Sequence, residues 1–278
     1  MSDFETVLNT PWDAKKKRIA LRTGINMAYV EGGNPDGEVV ILMHGFTCSS
    51  RGNKVLAEAL GEKYHTYCLD FRGHGDTDKP KQFAYSLTQH VEDVTAFLDQ
   101  MGIERFYATG HSTGSAAALG LAFTLGDRVK GLCLTSPFVR FHHGEKELRE
   151  FDEMFERYEK NPPSKEEWFP SFMRYPDQEF PEYTTALIQK WPPYCWKTGW
   201  YGLEIVDFTK FLYKITAPTM LIWGGLDDLI TEEHRVELAE LMPNAKCKTY
   251  PDNTHEVNQE NPSAIAEDTL SFFASIQA

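Results

Sequence analysis

From Glu38 to Pro137, and again from Pro218 onward, apolar β-type runs alternate with segments of helical periodicity. That rhythm is the strongest constraint on the fold. "EVVILMHG" is a continuous β-branched and apolar run of the kind buried on both faces of a sheet. "NKVLAEALG" then reads as a short helix and "HTYCLDFRGHG" as strand and loop. In "LTQHVEDVTAFLDQMG", Val91, Val94, Phe97, Leu98 and Met101 recur at helical spacing, and Gly102 ends the run. Strand, helix and strand follow around "RFYATGHSTGSAAALGLAF" and "VKGLCLTSP". The rhythm resumes with "PTMLIWGG", "EEHRVELAELM", "KCKTYP" and "PSAIAEDTLSFFASIQ", the last opening on Pro262. "RIALRT" and "NMAYVEGG" read as a hairpin that enters the sheet. Alternation of this kind predicts an α/β fold, a mainly parallel sheet with helices on both faces.

Between residues 138 and 206 the alternation stops. No strand run is present, prolines are frequent, and four of the six tryptophans fall here: Trp168, Trp191, Trp196 and Trp200. A segment this long is not a bare loop in a compact protein. It reads as an inserted helical subdomain, with residues 1–137 and 207–278 as the core around it. Its aromatics either form the insertion's own core or line a pocket over the sheet edge, which would suit an apolar or aromatic substrate moiety.

The formal charge of −13 argues against a nucleic-acid binder and weakly against highly anionic substrates. Five scattered cysteines without C-x-x-C spacing read as reduced thiols. The first residues lack the apolar stretch of a signal peptide, and no run approaches the roughly 18 apolar residues of a membrane span. The expectation is a cytoplasmic protein; the oligomeric state is not legible.

Gly110-His111-Ser112-Thr113-Gly114 stands at the seam between a strand-like and a helix-like run. A serine in such a G-x-S-x-G turn is either a turn residue or a nucleophile held out of the backbone by a forced bend. A nucleophilic serine needs a base, an acid to orient that base, and donors for the oxyanion. The acid candidates are Asp227 and Asp228, in a turn after a strand, at the edge where open parallel sheets bind ligands. Of nine histidines, His255 alone lies in a polar loop after the last strand. His142 and His143 read as solvated. His65, His90 and His234 have no catalytic pattern nearby, and His44, His74 and His111 read as loop residues with structural hydrogen bonds. Serine, acid and histidine in that order match one fold and differ from the chymotrypsin and subtilisin orders. The oxyanion donors expected are the backbone N–H groups of Thr113, after the nucleophile, and of Phe46, after the third strand.

On "LMHGFT", "LDFRGHGDTD", "GHSTG", "WGGLDDLIT" and "THEVNQENP" the chain resembles the α/β-hydrolase superfamily over nearly its whole length, as a capped member of the esterase and lipase type. The resemblance implies an eight-stranded sheet. It aligns W-G-x-x-D so as to select Asp227 over Asp228, and H-x-x-x-x-E-x-P on His255, Glu260 and Pro262. It implies that residues 138–206 are a cap, or lid. Thr113 stands where Met or Leu is common, and Thr254 where glycine often precedes the histidine; neither change removes a catalytic group. A serine rather than an aspartate at the elbow disfavours epoxide-hydrolase and dehalogenase chemistry. The expected reaction is hydrolysis of a small-molecule carboxylic ester or lactone through an acyl-enzyme, with water as co-substrate and no metal or organic cofactor. Other acyl or carbon–carbon hydrolysis, perhydrolysis, or a receptor-like pseudo-enzyme use the same residues and stay open.

Overall fold

The computed structural model describes residues 10–81, 85–141, 144–162, 164–168, 175 and 179–277. Eight strands form one sheet: β1 Lys17–Ala20, β2 Asn26–Gly33, β3 Val39–Met43, β4 His65–Leu69, β5 Phe106–His111, β6 Val129–Thr135, β7 Thr219–Gly224 and β8 Lys246–Tyr250. Their order is β1-β2-β4-β3-β5-β6-β7-β8. β1 pairs antiparallel with β2 and β2 with β4; every other pairing is parallel. This is the mainly parallel α/β sheet expected.

The strand order carries a functional consequence. After β3 the chain steps to β4 on one side, then crosses to β5 on the other. The connections leaving the carboxyl ends of β3 and β5 therefore diverge, opening the crevice where such sheets bind ligands. Phe46 lies just past β3 and Ser112 just past β5.

Helices α1 (Lys54–Leu60), α2 (Leu87–Gln100), α3 (Thr113–Leu125), α8 (Glu232–Leu241), α9 (Val257–Glu260) and α10 (Pro262–Gln277) belong to the core. Val91, Val94, Phe97 and Leu98 of α2 are buried, as their spacing predicts. Gly102 ends the helix at φ 69°, and Ile103 N–H returns to the Leu98 carbonyl at 2.8 Å. α2, α3 and Leu238 of α8 pack into one apolar cluster on the sheet, while α1 and α10 pack into a second. The sheet is thus covered on both faces, which is why β3 can be apolar on every residue and every residue of β5 is buried.

Between β6 and β7 lie α4 (Glu145–Lys160), α5 (Lys165–Trp168), α6 (Glu179–Lys190) and α7 (Pro193–Glu204). The expected helical insertion is present, and the β-type pairing among its described residues is one bridge at its stem, Arg140 with Asp207. Bonds from Phe208 N–H to the Val139 carbonyl (2.8 Å) and from Phe141 N–H to Val206 (3.4 Å) close that stem. Phe155, Ile188, Trp191, Cys195 and Trp196 form a cluster of the insertion, completed by Tyr85 from the core. Many of the insertion's aromatics thus build its own core. His142, His143 and the Trp168 side chain lie outside the described residues. Among the described residues, no helix is long and apolar enough to cross a membrane.

Candidate active site

Ser112 is the single residue between β5 and α3, and the chain turns there at φ 48°, ψ −112°. A non-glycine residue in that region stores roughly 1–3 kcal/mol, tolerated only where the surroundings leave no alternative. Here they do not. Ser112 N–H donates to the Thr135 carbonyl at 2.9 Å, and the Ser112 carbonyl accepts from Ser115 (2.9 Å) and Ala116 (3.1 Å) N–H groups. A Cβ on Gly110 would run into the Gly114 carbonyl, and one on Gly114 into the carbonyls of Met43 and His44. Both flanking glycines of the motif are therefore required by backbone contact. The amino end of α3, with its unpaired N–H groups, stands directly behind the serine.

Asp227 lies in the turn after β7 and is 5% exposed. Its two oxygens have separate partners. Oδ1 accepts from the N–H groups of Leu229 (3.0 Å) and Ile230 (2.8 Å), fixing the turn. Oδ2 faces His255 Nδ1 at 2.9 Å. Nδ1 is thereby assigned as the donor, which leaves the Nε2 lone pair free to act as a base. Burial alone would raise the Asp227 carboxyl; the His255 imidazole and the two N–H donors outweigh it and hold the carboxyl below its ordinary value. Burial would lower the His255 imidazole, but Asp227, then Glu256 and Asp228, outweigh that and hold it above its ordinary value. Asp228 itself is exposed.

The histidine loop is braced from both sides. Ser136 Oγ donates to the His255 carbonyl at 2.7 Å. Glu260 Oε2 accepts from Thr254 N–H at 2.6 Å and from Asn253 Nδ2 at 3.3 Å. Glu260 is the acidic residue of the H-x-x-x-x-E-x-P pattern, and its position gives that pattern a physical reason.

Ser112 and His255 line one pocket of about 140 Å³ beneath α4 and α7. Among the described residues their side chains make no direct hydrogen bond, a contact that in free enzymes is often longer than in the reacting complex. Phe46 and Thr113 stand at the two loop ends expected of them, and no other described group engages their N–H. The pocket's remaining wall is largely aromatic and includes Phe138, Phe141, Phe155, Trp196 and Trp200.

Two residues of this wall were not singled out from the sequence. His111, read as a structural loop histidine, ends β5 with its ring 5.1 Å from that of His255. Its Nδ1 is 3.1 Å from Thr135 Oγ1, and its Nε2 is 3.4 Å from Glu256 Oε2. Both sit beside a motif residue, His111 before Ser112 and Glu256 after His255, and that adjacency was the available signal. His44 does have the structural role expected: its Nδ1 faces the Gly45 carbonyl at 2.7 Å and its Nε2 accepts from Phe71 N–H at 3.0 Å. Burial pushes His44 down to about 4, so it is neutral. His74 Nδ1 bonds the Arg72 carbonyl at 3.0 Å. Among the described residues, no group of three or more His, Cys, Asp or Glu side chains converges in a way that could hold a metal ion.

Against known proteins, the family described as serine aminopeptidase, S33, matches residues 34–262. Lipase 3 of Moraxella sp. is 24% identical, covering 94% of this chain and 85% of its own. Two solved structures superpose over nearly the full length. A thermophilic esterase from Thermogutta terrifontis has TM-score 0.82 at 21% identity, covering 95% of this chain and 99% of its own. The enol-lactonase from Burkholderia xenovorans has TM-score 0.82 at 20% identity, covering 93% and 100%. With the family matched over most of its length and the sheet and elbow in place, the chain belongs to the S33 hydrolases of the α/β-hydrolase superfamily.

Proposed function

We propose that the protein hydrolyses a carboxylic ester or lactone bearing an apolar or aromatic group, through a Ser112–His255–Asp227 triad and an acyl-enzyme. The observation that carries this reading is the 2.9 Å His255–Asp227 bond, made by the imidazole that lines the same pocket as the strained Ser112. The lipase and esterase names of its relatives agree with it. The lactone alternative follows the enol-lactonase neighbour.

The chemistry follows from the donors and acceptors. Ser112 Oγ attacks the substrate carbonyl while His255 Nε2 takes its proton. The N–H groups of Phe46 and Thr113 receive the oxyanion. As the tetrahedral adduct collapses, the imidazolium returns the proton to the leaving alkoxide. Water then gives a proton to Nε2, attacks the acyl-enzyme, and releases the acid and free serine. Asp227 holds the tautomer and stabilises the imidazolium. Residues 138–206 act as the cap over the core of residues 1–137 and 207–278, and their aromatic rings receive the apolar part of the substrate.

The test is labelling with a fluorophosphonate alongside a panel of p-nitrophenyl esters. Modification of Ser112, with turnover of at least one ester, is the expected result. Labelling at another residue, or no turnover of any acyl substrate, would overturn the reading.

A further inference from the structure

The pocket described above carries one formal negative charge that the triad does not use. Glu256 is the single carboxylate among the pocket's described lining residues, and neither lysine nor arginine is among them. Its side chain is 23% exposed, so it is neither sealed in the core nor freely solvated. Oε2 faces His111 Nε2 at 3.4 Å, a long contact, and among the described residues Oε1 has no partner. Burial would raise this carboxyl; His111 and then His255 outweigh it and hold it below its ordinary value, which keeps it ionised at neutral pH.

The rings of Phe46, Phe141, Phe155, Trp196 and Trp200 line the same pocket as this carboxylate. They meet edge to face: Phe46–Trp200 at 6.0 Å, Phe141–Trp200 at 5.2 Å and Phe155–Trp196 at 6.1 Å. An aromatic face is the negative end of the ring quadrupole and attracts a desolvated cation within about 6 Å. A partly buried carboxylate facing only histidines, Ser112 and Thr47 among the pocket's polar residues gains from an opposite charge that joins it. The chain's net charge of −13 also draws cations toward the surface from which the pocket opens.

We propose that Glu256 is a specificity-determining residue and that the pocket selects esters carrying an alkylammonium group. The ammonium sits among the aromatic rings with its charge toward Glu256 Oε1. This rests on the ester-hydrolase reading for the reaction, but not for the binding preference. An anionic acyl or alcohol group of the same size is repelled by the same carboxylate.

The test uses a pair of molecules alike in volume and different in charge. Butyrylcholine is compared with 3,3-dimethylbutyl butyrate, in which a carbon replaces the nitrogen. In parallel, choline and 3,3-dimethylbutanol are titrated against the fluorescence of the pocket tryptophans, a readout that needs no turnover. The wild-type protein is expected to favour the cationic member by about tenfold or more in both kcat/KM and Kd. In Glu256→Gln, which preserves the shape and the rings, the ratio between members falls toward unity. Equal treatment of the two members by the wild type, or a ratio unchanged in Glu256→Gln, overturns the inference. Cation preference in binding without turnover of either ester or of any member of the p-nitrophenyl panel sinks the hydrolase reading and leaves the inference standing. Turnover without preference does the reverse.

Discussion

At the sheet rim, Ser112 is held at φ 48° by backbone hydrogen bonds and by two glycines that can carry no Cβ. Helices α4 and α7, which supply part of the pocket wall, meet through ring contacts and exposed ion pairs, such as Phe151 against Trp200 at 4.1 Å and Lys197 with Asp152 at 2.8 Å. The first arrangement over-determines a few atoms. The second fills space with side chains that can be exchanged for others of like size. The proposed function would place the chemistry that needs fixed geometry on the first, and selection among substrates on the second.

The severest challenge to that division is Ser112→Ala. It removes the proposed nucleophile without touching the glycines or the fold, and the expected loss in kcat is on the order of 10³-fold or more with an unchanged unfolding curve. A variant that kept its activity would move the chemistry away from the rim. Next in size is a buried ion pair of the core. Arg72 clasps Asp93 through Nε (2.6 Å) and Nη2 (2.7 Å), with the two side chains 5% and 0% exposed. Asp93→Ala leaves a guanidinium in the core without this counter-charge, and the expected loss of stability is about 3–5 kcal/mol in a denaturant titration. A loss below about 1 kcal/mol would show that the core tolerates exchange as readily as the insertion.

The rim was legible in the sequence because each of its constraints is local. Gly110 and Gly114 flank the serine, Gly224 and Gly225 precede the acid, and Glu260 follows the histidine at a fixed distance. Each acts on a turn of a few residues, so the pattern survives in one dimension. The strand-and-helix rhythm was legible for a similar reason, since burial on both faces leaves β3 without a polar residue and buries every residue of β5. The pocket wall was not. Whether Phe141 faces the pocket or the insertion's own core depends on how helices far apart in the chain pack, and no spacing records that. His111 was misjudged on the same ground: its neighbour Gly110 suggested a loop, whereas the residue ends a strand and turns its ring toward His255.

The pH profile sharpens the comparison from the rim side. The proposed mechanism requires neutral His255, and Asp227 and Glu256 favour the imidazolium. Activity with a neutral ester is therefore expected to be low below the ordinary imidazole range and to rise through a midpoint above about 6.5. The linkage has the opposite sign for stability. A histidine whose value is raised on folding stabilises the protein fully below its unfolded value, and that contribution fades as pH rises through the folded value. Asp227→Asn should move the activity midpoint down while kcat falls; a midpoint that stays in place would break the assignment of Asp227 as the residue that tunes the base.

On the insertion side, Trp200→Leu removes a ring that touches Phe46, Phe141 and Phe151. One lost apolar surface in a binding pocket is expected to reduce kcat/KM for an aryl ester by about tenfold, mostly through KM. The same variant should leave a short acetyl ester, too small to reach that wall, nearly unaffected. A uniform fall in kcat for both substrates would mean that the insertion positions the catalytic groups as well as the substrate.

The smallest effect expected is also the sharpest contrast with Asp93. Asp152 accepts from Lys197 Nζ and from Tyr201 Oη, each at 2.8 Å, and so ties α4 to α7. These hydrogen bonds hold its carboxyl below the ordinary value. On geometry alone the two carboxylates look alike, Asp152 with two short donor contacts and Asp93 with three, the third from Thr23 Oγ1 at 2.5 Å. Their surroundings differ: the Asp152 and Lys197 side chains are 42% and 48% exposed, so water replaces whatever contact is lost. Asp152→Asn is therefore expected to cost no more than about 1 kcal/mol, and less as salt is added. An effect approaching that of Asp93→Ala would mean that α4 and α7 are fixed as rigidly as the rim, and the division between fixed chemistry and exchangeable selection would not hold.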